Sequence, residues 1–89
     1  MNTLFLLMAQ YDGKAVVPLE KVCVDYMNLT VEKFKRKRLE GEIDIPVVRL
    51  GPVSQKAGLG IYLKDLADYI DLQHAKALKE QNLLMGRSA

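Results

Sequence analysis

The segment from Thr30 to Gly41 constrains the fold most, because it combines helix boundary signals with a dense cluster of charge. Thr30 can cap the N-terminus of a helix, and Gly41 can end one. Between them, five of the chain's 13 basic residues occupy the six positions from Lys33 to Arg38. The whole chain carries a formal charge of only +2, so its positive charge is concentrated on this one predicted helix. Such concentration is typical of a surface that binds a polyanion, and a helix of about three turns suits the major groove of DNA.

The residues before this segment predict a second helix that ends in a tight turn. Pro18 suits the first turn of a helix, which we predict to run to Met27. Asn28 tolerates the left-handed backbone angles that a short turn requires. Helix, short turn and basic helix over residues 18–41 form a helix-turn-helix pattern. The apolar face of the first helix follows helical spacing: Leu19, Val22, Cys23 and Tyr26.

Residues 45–63 predict a β-hairpin with a long tip. The stretch from Ile43 to Leu50 is rich in β-branched side chains, and Pro46 favours an edge position or the start of a strand. Gly51 to Gly60 is a polar, glycine-bearing loop, after which Ile61 to Leu63 resume the strand pattern. After a helix-turn-helix, such a hairpin is a wing. The predicted fold class is therefore mainly α with a small β hairpin, a winged helix-turn-helix with flanking N-terminal and C-terminal helices.

The flanking segments complete a single predicted domain over residues 1–89. Thr3 to Tyr11 favours a helix, with a strand ending in an Asp12–Gly13 turn as the alternative. Val16–Val17 is predicted to be a short extended connector. A final helix is predicted over residues 65–82, longer than a small winged domain needs. Its apolar stripe contains Leu66, Ala67, Ile70, His74, Ala77 and Leu78.

The composition argues against several other classes of protein. One histidine and one cysteine, Cys23, cannot build a zinc site by the usual spacing. Because the chain has a single cysteine, an internal disulfide is also excluded. No P-loop or nucleophile elbow is present, so we expect no catalytic residues, no metal and no cofactor. The apolar run Leu4 to Ala9 is too short to span a bilayer. A cytoplasmic, nucleoid-associated protein without membrane contact is the expectation.

Four segments stand out in order along the chain: Phe5 to Tyr11, Val17 to Cys23, the wing tip Ser54 to Lys56, and Leu63 to Asp71. In this order and spacing they resemble the pyocin activator protein family of bacterial transcriptional regulators. The resemblance covers Phe5 to about His74, and it implies a small DNA-binding activator of bacteriocin or prophage-like gene clusters. The arrangement is also similar to phage excisionases and to the head domain of MerR-type regulators.

The candidate DNA contacts lie first on the basic helix. At about 100° per residue, Lys33, Arg36 and Lys37 share one face, opposite Val31 and Phe34. Arginine can read guanine in a bidentate way, whereas lysine more often contacts phosphate. Lys35 and Arg38 point nearer the core, so we do not expect them to read bases.

Other candidate contacts flank that face. Glu32 could accept a hydrogen bond from a cytosine amine or merely favour the helix N-terminus. Thr30 is expected to cap the helix and to contact phosphate. On the wing, Arg49, Gln55 and Lys56 could contact phosphates or the minor groove, although the wing's glycines could simply close the loop.

Three functions remain open from the sequence. The first is a sequence-specific transcriptional activator that binds double-stranded DNA as a homodimer or higher oligomer, with RNA polymerase as a further candidate partner. The second is an excisionase-like architectural protein that bends DNA. The third is a protein-binding antirepressor that does not use DNA, in which the basic run Lys33 to Arg38 is only a solvated face.

Overall fold

A computed structural model describes residues 2–51 and 58–87 of the chain. The described residues form a mainly helical structure with a small antiparallel sheet. The elements in chain order are α1 (Thr3–Gln10), β1 (Val16–Pro18), α2 (Leu19–Val22) with a π-helical continuation (Cys23–Met27), α3 (Val31–Leu39), β2 (Val48–Arg49), β3 (Leu59–Tyr62) and α4 (Leu63–Leu84).

The first segment is a helix, so the alternative strand for Thr3 to Tyr11 is wrong. The side chain of Asn2 caps α1 by accepting a hydrogen bond from the Leu4 backbone N–H over 2.9 Å. Leu7 and Tyr11 are buried on the face that packs against α4. The helix ends where Asp12 takes a left-handed conformation with a φ of 56°.

The sheet has the strand order β1–β3–β2, with every pair antiparallel. Val17 lies opposite Ile61, and Val48 lies opposite Gly60. The prediction that Val16–Val17 is only a connector is therefore wrong, because β1 is an edge strand paired to β3. Its partner lies more than 40 residues away along the chain, and a three-residue strand carries no alternation by which it could be recognised.

The predicted first strand of the hairpin is shorter than expected. Only Val48–Arg49 pairs with β3, whereas Ile43 and Ile45 are buried in irregular backbone that fills the core. Pro46 has no N–H to donate to a ladder, which is consistent with pairing that begins after it. The β-branched residues Ile43 and Ile45 are therefore a sign of burial and not of a β-strand.

Between α2 and α3 the chain turns tightly, as predicted. Leu19, Val22 and Cys23 are buried, but the helix opens into π-helical geometry from Cys23 to Met27. Asn28 is left-handed, with a φ of 53°, and reverses the chain. α3 then begins after Thr30 and ends before Gly41, whose φ is +79°.

The last helix begins two residues before the predicted start and extends past the predicted end. Leu63, Leu66 and Ala67 in its first turns are buried against the other elements. Asp71 still accepts a hydrogen bond from the Thr3 hydroxyl of α1. From Leu72 to Leu84 every residue of the helix is exposed except the half-buried Asn82, and the molecule measures 51 × 30 × 17 Å. Its radius of gyration of 15.1 Å exceeds the roughly 12 Å expected of a compact chain of this size.

Candidate nucleic-acid interface

The basic residues of α3 are presented on a well-anchored helix. Thr30 Oγ1 accepts a hydrogen bond from the Lys33 backbone N–H over 3.2 Å at the N-terminus. At the other end, the Gly41 and Glu42 N–H groups donate to the carbonyls of Arg38 and Lys37, which is a Schellman arrangement. Phe34, fully buried, fixes the inner face of the helix. The side chains that remain outside are therefore held on one rigid element.

Four of the five cations on α3 are exposed: Lys33, Lys35, Arg36 and Arg38. Of these four, Lys33, Lys35 and Arg36 form no ion pair and no side-chain hydrogen bond with another residue of segments 2–51 and 58–87. Phe34 and Val31 point inward, as the helical spacing predicts. The exposed cations are thus available to an external anion.

The other two cations have neighbours within the chain. Lys37 Nζ lies 3.7 Å from Glu42 Oε2, and the Lys37 side chain is 39% exposed. A solvent-exposed pair of this kind contributes about 0–1 kcal/mol, so it leaves Lys37 able to exchange Glu42 for another anion. Arg38 Nε donates a hydrogen bond to the Ile45 carbonyl oxygen over 3.1 Å. This hydrogen bond holds the segment that follows α3 against the helix.

Thr30 and Glu32 occupy the N-terminal end of the same helix. The Thr30 hydroxyl oxygen is engaged in the cap, but the residue remains exposed. Glu32 is exposed in the first turn, where a carboxylate is favoured by the helix dipole. Both sites are open to solvent.

A groove between α3 and the β2–β3 pair brings together cations that sequence reasoning left apart. Lys35 and Arg38 from α3 and Arg49 from β2 line it, along with apolar side chains that form its floor and rim. Arg49 is exposed, opposite Leu59 in the register of the sheet. No local pattern could have revealed this grouping, because it depends on how β2 packs beside α3. The apolar lining residues are Leu39, Val47 and Leu59.

The remaining two candidates on the predicted wing, Gln55 and Lys56, lie outside the described residues. The flanks of that segment, Leu50 and Gly58, are joined by a hydrogen bond from the Leu50 N–H to the Gly58 carbonyl over 3.5 Å. The predicted hairpin is thus present at its base.

Outside α3 and the groove, the described residues include two buried titratable side chains. Burial and a hydrogen bond to Asp25 raise the pKa of Tyr11 far above its ordinary value, and burial raises the pKa of the Cys23 thiol. Within the described segments no three His, Cys, Asp or Glu side chains are grouped as a metal site would require. No helix in those segments combines the length and the apolar character needed to cross a membrane.

A protein-family profile matches most of the chain. The profile of the family described as "Pyocin activator protein PrtN" matches residues 3–77 of the 89-residue chain. Comparison with curated proteins and with solved structures gave no match. The matched range includes α1, the sheet, α3 and more than half of α4.

Proposed function

Because this chain belongs to the pyocin activator protein family, a family of regulators rather than a known family of enzymes, we propose that it is a sequence-specific DNA-binding transcriptional activator of pyocin or related prophage-like genes. The observation that carries the proposal is the set of exposed cations on the capped helix α3 that have no side-chain partner among the described residues: Lys33, Lys35 and Arg36. In this proposal, α2, the turn at Asn28 and α3 act as a helix-turn-helix, and the β2–β3 hairpin acts as its wing.

The dimensions of α3 support its entry into the major groove. Its nine residues give a length of about 13 Å along the helix axis. The diameter of an α-helix, about 10–12 Å with its side chains, fits the major groove, which is about 12 Å wide. Arg36 is the proposed reader of guanine, because its fork can donate two hydrogen bonds to one base edge. Lys33 and Lys37 then contact phosphates along the groove, and Thr30 and Glu32 lie at the leading end of the helix.

The groove beside α3 supports a second set of contacts to the DNA backbone. Lys35, Arg38 and Arg49 converge there from two elements, so a phosphate at this position meets three positive charges. Phosphate contacts fix the register of a protein on the duplex without reading its sequence. The wing residues Gln55 and Lys56 extend the same proposal towards the adjacent backbone or minor groove.

The regulatory step follows from where the protein binds. One small module makes too few contacts for specificity within a genome, so we propose that two or more copies bind each operator in the cytoplasm, at the nucleoid. An activator bound upstream of a promoter would then recruit RNA polymerase. The fold itself does not distinguish this from other uses of bound DNA.

The test is fluorescence anisotropy of the purified protein with duplexes from upstream of its neighbouring operons, across a salt series, with scrambled duplexes as controls. We expect discrimination against the scramble and a steep salt dependence. Lys33→Ala and Arg36→Ala should weaken binding, whereas Lys79→Ala on the projecting part of α4 should not. Lys79 is the matched control because the change in charge is the same.

Each alternative has its own outcome in this experiment. Salt-sensitive binding without discrimination, accompanied by DNA bending, would indicate an architectural, excisionase-like protein. No binding at low salt would favour an antirepressor that acts on another protein. Full function after charge reversal at Lys33 and Arg36 would lead to the same conclusion.

A further inference from the structure

Glu42 lies beside Lys37 because the backbone that follows α3 places it there. The Glu42 N–H donates to the Lys37 carbonyl over 2.9 Å, and the Gly41 N–H donates to the Arg38 carbonyl over 3.1 Å. These two bonds form the Schellman arrangement that ends α3, and Gly41 adopts the left-handed φ of +79° that it requires. The chain therefore turns back beside the helix, and Glu42 Oε2 lies 3.7 Å from Lys37 Nζ.

The stability of α3 gives no reason for a carboxylate at this position. The residue that follows the left-handed glycine of a Schellman arrangement commonly makes an apolar contact with the last turns of the helix, whereas Glu42 is exposed. A negative charge also interacts unfavourably with the C-terminal end of the helix dipole. The exposed ion pair with Lys37 adds little stability in return, because solvent screens it.

We propose that Glu42 limits the affinity of the protein for DNA by competing with phosphate for Lys37. This inference rests on the proposed function, in which Lys37 contacts a phosphate along the major groove. That phosphate must displace a carboxylate which the backbone keeps nearby. The displaced carboxylate then lies close to another negative charge. Both effects weaken binding, and neither depends on the base sequence.

The other cations on the same face of α3 have no such competitor. Lys33 and Arg36 form no ion pair or side-chain hydrogen bond with another residue of the described segments, so a phosphate binds them without displacing a group of the protein. Glu40 is a second exposed carboxylate at the end of α3, and it forms no ion pair within the described segments. Glu40 therefore repels DNA only through solvent, which makes it the control for Glu42.

The test is the affinity of Glu42→Gln for duplex DNA, measured by fluorescence anisotropy across a salt series. We expect binding that is about two- to fivefold tighter at low salt, the range that one exposed ion pair spans. The factor should be the same for an upstream duplex and for its scramble, because phosphate contacts do not read bases. The logarithmic salt slope should steepen by up to about one unit, since one phosphate contact no longer faces an opposing carboxylate. Glu40→Gln, which changes the net charge equally, should tighten binding less.

A double-mutant cycle with Lys37→Gln separates competition for Lys37 from general repulsion. In the Lys37→Gln background, Glu42→Gln should tighten binding no more than Glu40→Gln does in the parent. The backbone hydrogen bonds that end α3 do not involve the Glu42 side chain, so the midpoint of thermal unfolding of Glu42→Gln should not lie below that of the parent. A merely structural role of Glu42 would instead lower this midpoint and leave no coupling to Lys37 in DNA binding.

Equal effects of Glu42→Gln in the parent and Lys37→Gln backgrounds would overturn the proposal, because Glu42 would then repel DNA through solvent alone. Weaker binding by Glu42→Gln would also overturn it, since the carboxylate would then support α3 or contact the DNA itself. Both results leave the proposed function intact, because the parent protein still binds DNA. A parent protein that binds no duplex at low salt would instead remove the proposed function, and this inference with it.

Discussion

The hydroxyl of Tyr11 donates a hydrogen bond to Asp25 Oδ2 over 2.7 Å, and this contact ties the end of α1 to the π-helical segment before α3. A second bond, from the Tyr26 hydroxyl to Gln10 Oε1, joins the same two elements. The N-terminal helix therefore takes part in positioning the turn from which α3 starts.

Removal of the Tyr11 hydroxyl should destabilise the fold. We expect Tyr11→Phe to lower the free energy of unfolding by about 1–2 kcal/mol, because the bond is to a charged acceptor and is partly buried. Urea unfolding followed by circular dichroism measures this change. Tyr62→Phe is the control. Tyr62 is 45% exposed, and its hydroxyl has no hydrogen-bond partner among the described residues. Equal losses in both variants would contradict the assignment.

The same tyrosine should make stability depend on alkaline pH. Burial, followed by the hydrogen bond to Asp25, raises the pKa of Tyr11 above its ordinary value of 10.0. The folded state keeps a proton that the unfolded chain releases above that pH, so this contribution is complete below pH 10.0 and is lost as the pH rises beyond it. Urea midpoints of the parent and Tyr11→Phe should converge above this pH. A difference between the urea midpoints that does not change with pH would show that the pKa of Tyr11 is not raised in the folded state.

Gly60 permits the close approach of β1 and β3. A Cβ at this position would lie 2.5 Å from Val16 Cγ1 and 3.0 Å from the Val17 carbonyl oxygen. Gly60→Ala should therefore cost about 1–3 kcal/mol in the free energy of unfolding. Gly58→Ala is the control, because a Cβ there meets nothing within 4 Å. Adding Val16→Ala to Gly60→Ala should recover part of the loss, and no recovery would point away from the Val16 contact.

Substitution of the two arginines of α3 should have different effects: one should lower the stability of the fold, and the other should change DNA binding. Arg38→Ala loses the bond to the Ile45 carbonyl and should destabilise the fold by about 1–2 kcal/mol. Arg36→Ala should change the free energy of unfolding by no more than about 0.5 kcal/mol. It should instead relax base preference at one position by about 1–3 kcal/mol. Thermal unfolding and anisotropy with single-base variants of the bound duplex measure both. DNA binding by Arg36→Ala that equals that of the parent would remove Arg36 from the interface.

Leu39 is expected to contact a thymine methyl group. Its side chain is 84% exposed and lies one helical turn beyond Lys35 and Arg36, on a helix that is otherwise polar outside. Apolar contact with the thymine methyl is a common form of base recognition in the major groove. Replacement of thymines by deoxyuridine, one at a time, should weaken binding by about 1 kcal/mol at one position, the value of one buried methyl. Leu39→Ala should abolish that difference, and a difference that persists would assign the methyl contact to another residue.

The helices could be predicted from the sequence because their signals are local. Thr30 and Gly41 mark the bounds of α3, and the spacing of Leu4, Leu7 and Tyr11 is that of α1. β1 was missed because a strand of three residues has no pattern of its own and is defined by its pairing with Gly60 to Tyr62. The longer strand predicted from Ile43 was wrong because β-branched side chains fill buried irregular backbone equally well.

The candidate site shows the same division between local and tertiary signals. The concentration of charge on α3 is visible in the sequence, and the inward placement of Phe34 follows from helical spacing. The convergence of Lys35, Arg38 and Arg49 is not visible, because it requires the position of β2 relative to α3. The proximity of Lys37 and Glu42 depends on the left-handed turn at Gly41, which folds the chain back beside the helix.

The direct junction of β3 and α4 has a mechanical consequence. β3 ends at Tyr62 and α4 begins at Leu63, whose backbone N–H donates to the Ala15 carbonyl over 2.8 Å. No linker residue is available to absorb a rotation, so the helix is a rigid lever attached to the central strand of the sheet. If two copies are joined through α4, the distance between their α3 helices is set by α4 and not by a flexible tether. Operators whose half-sites are moved apart by a few base pairs should then lose binding abruptly rather than gradually.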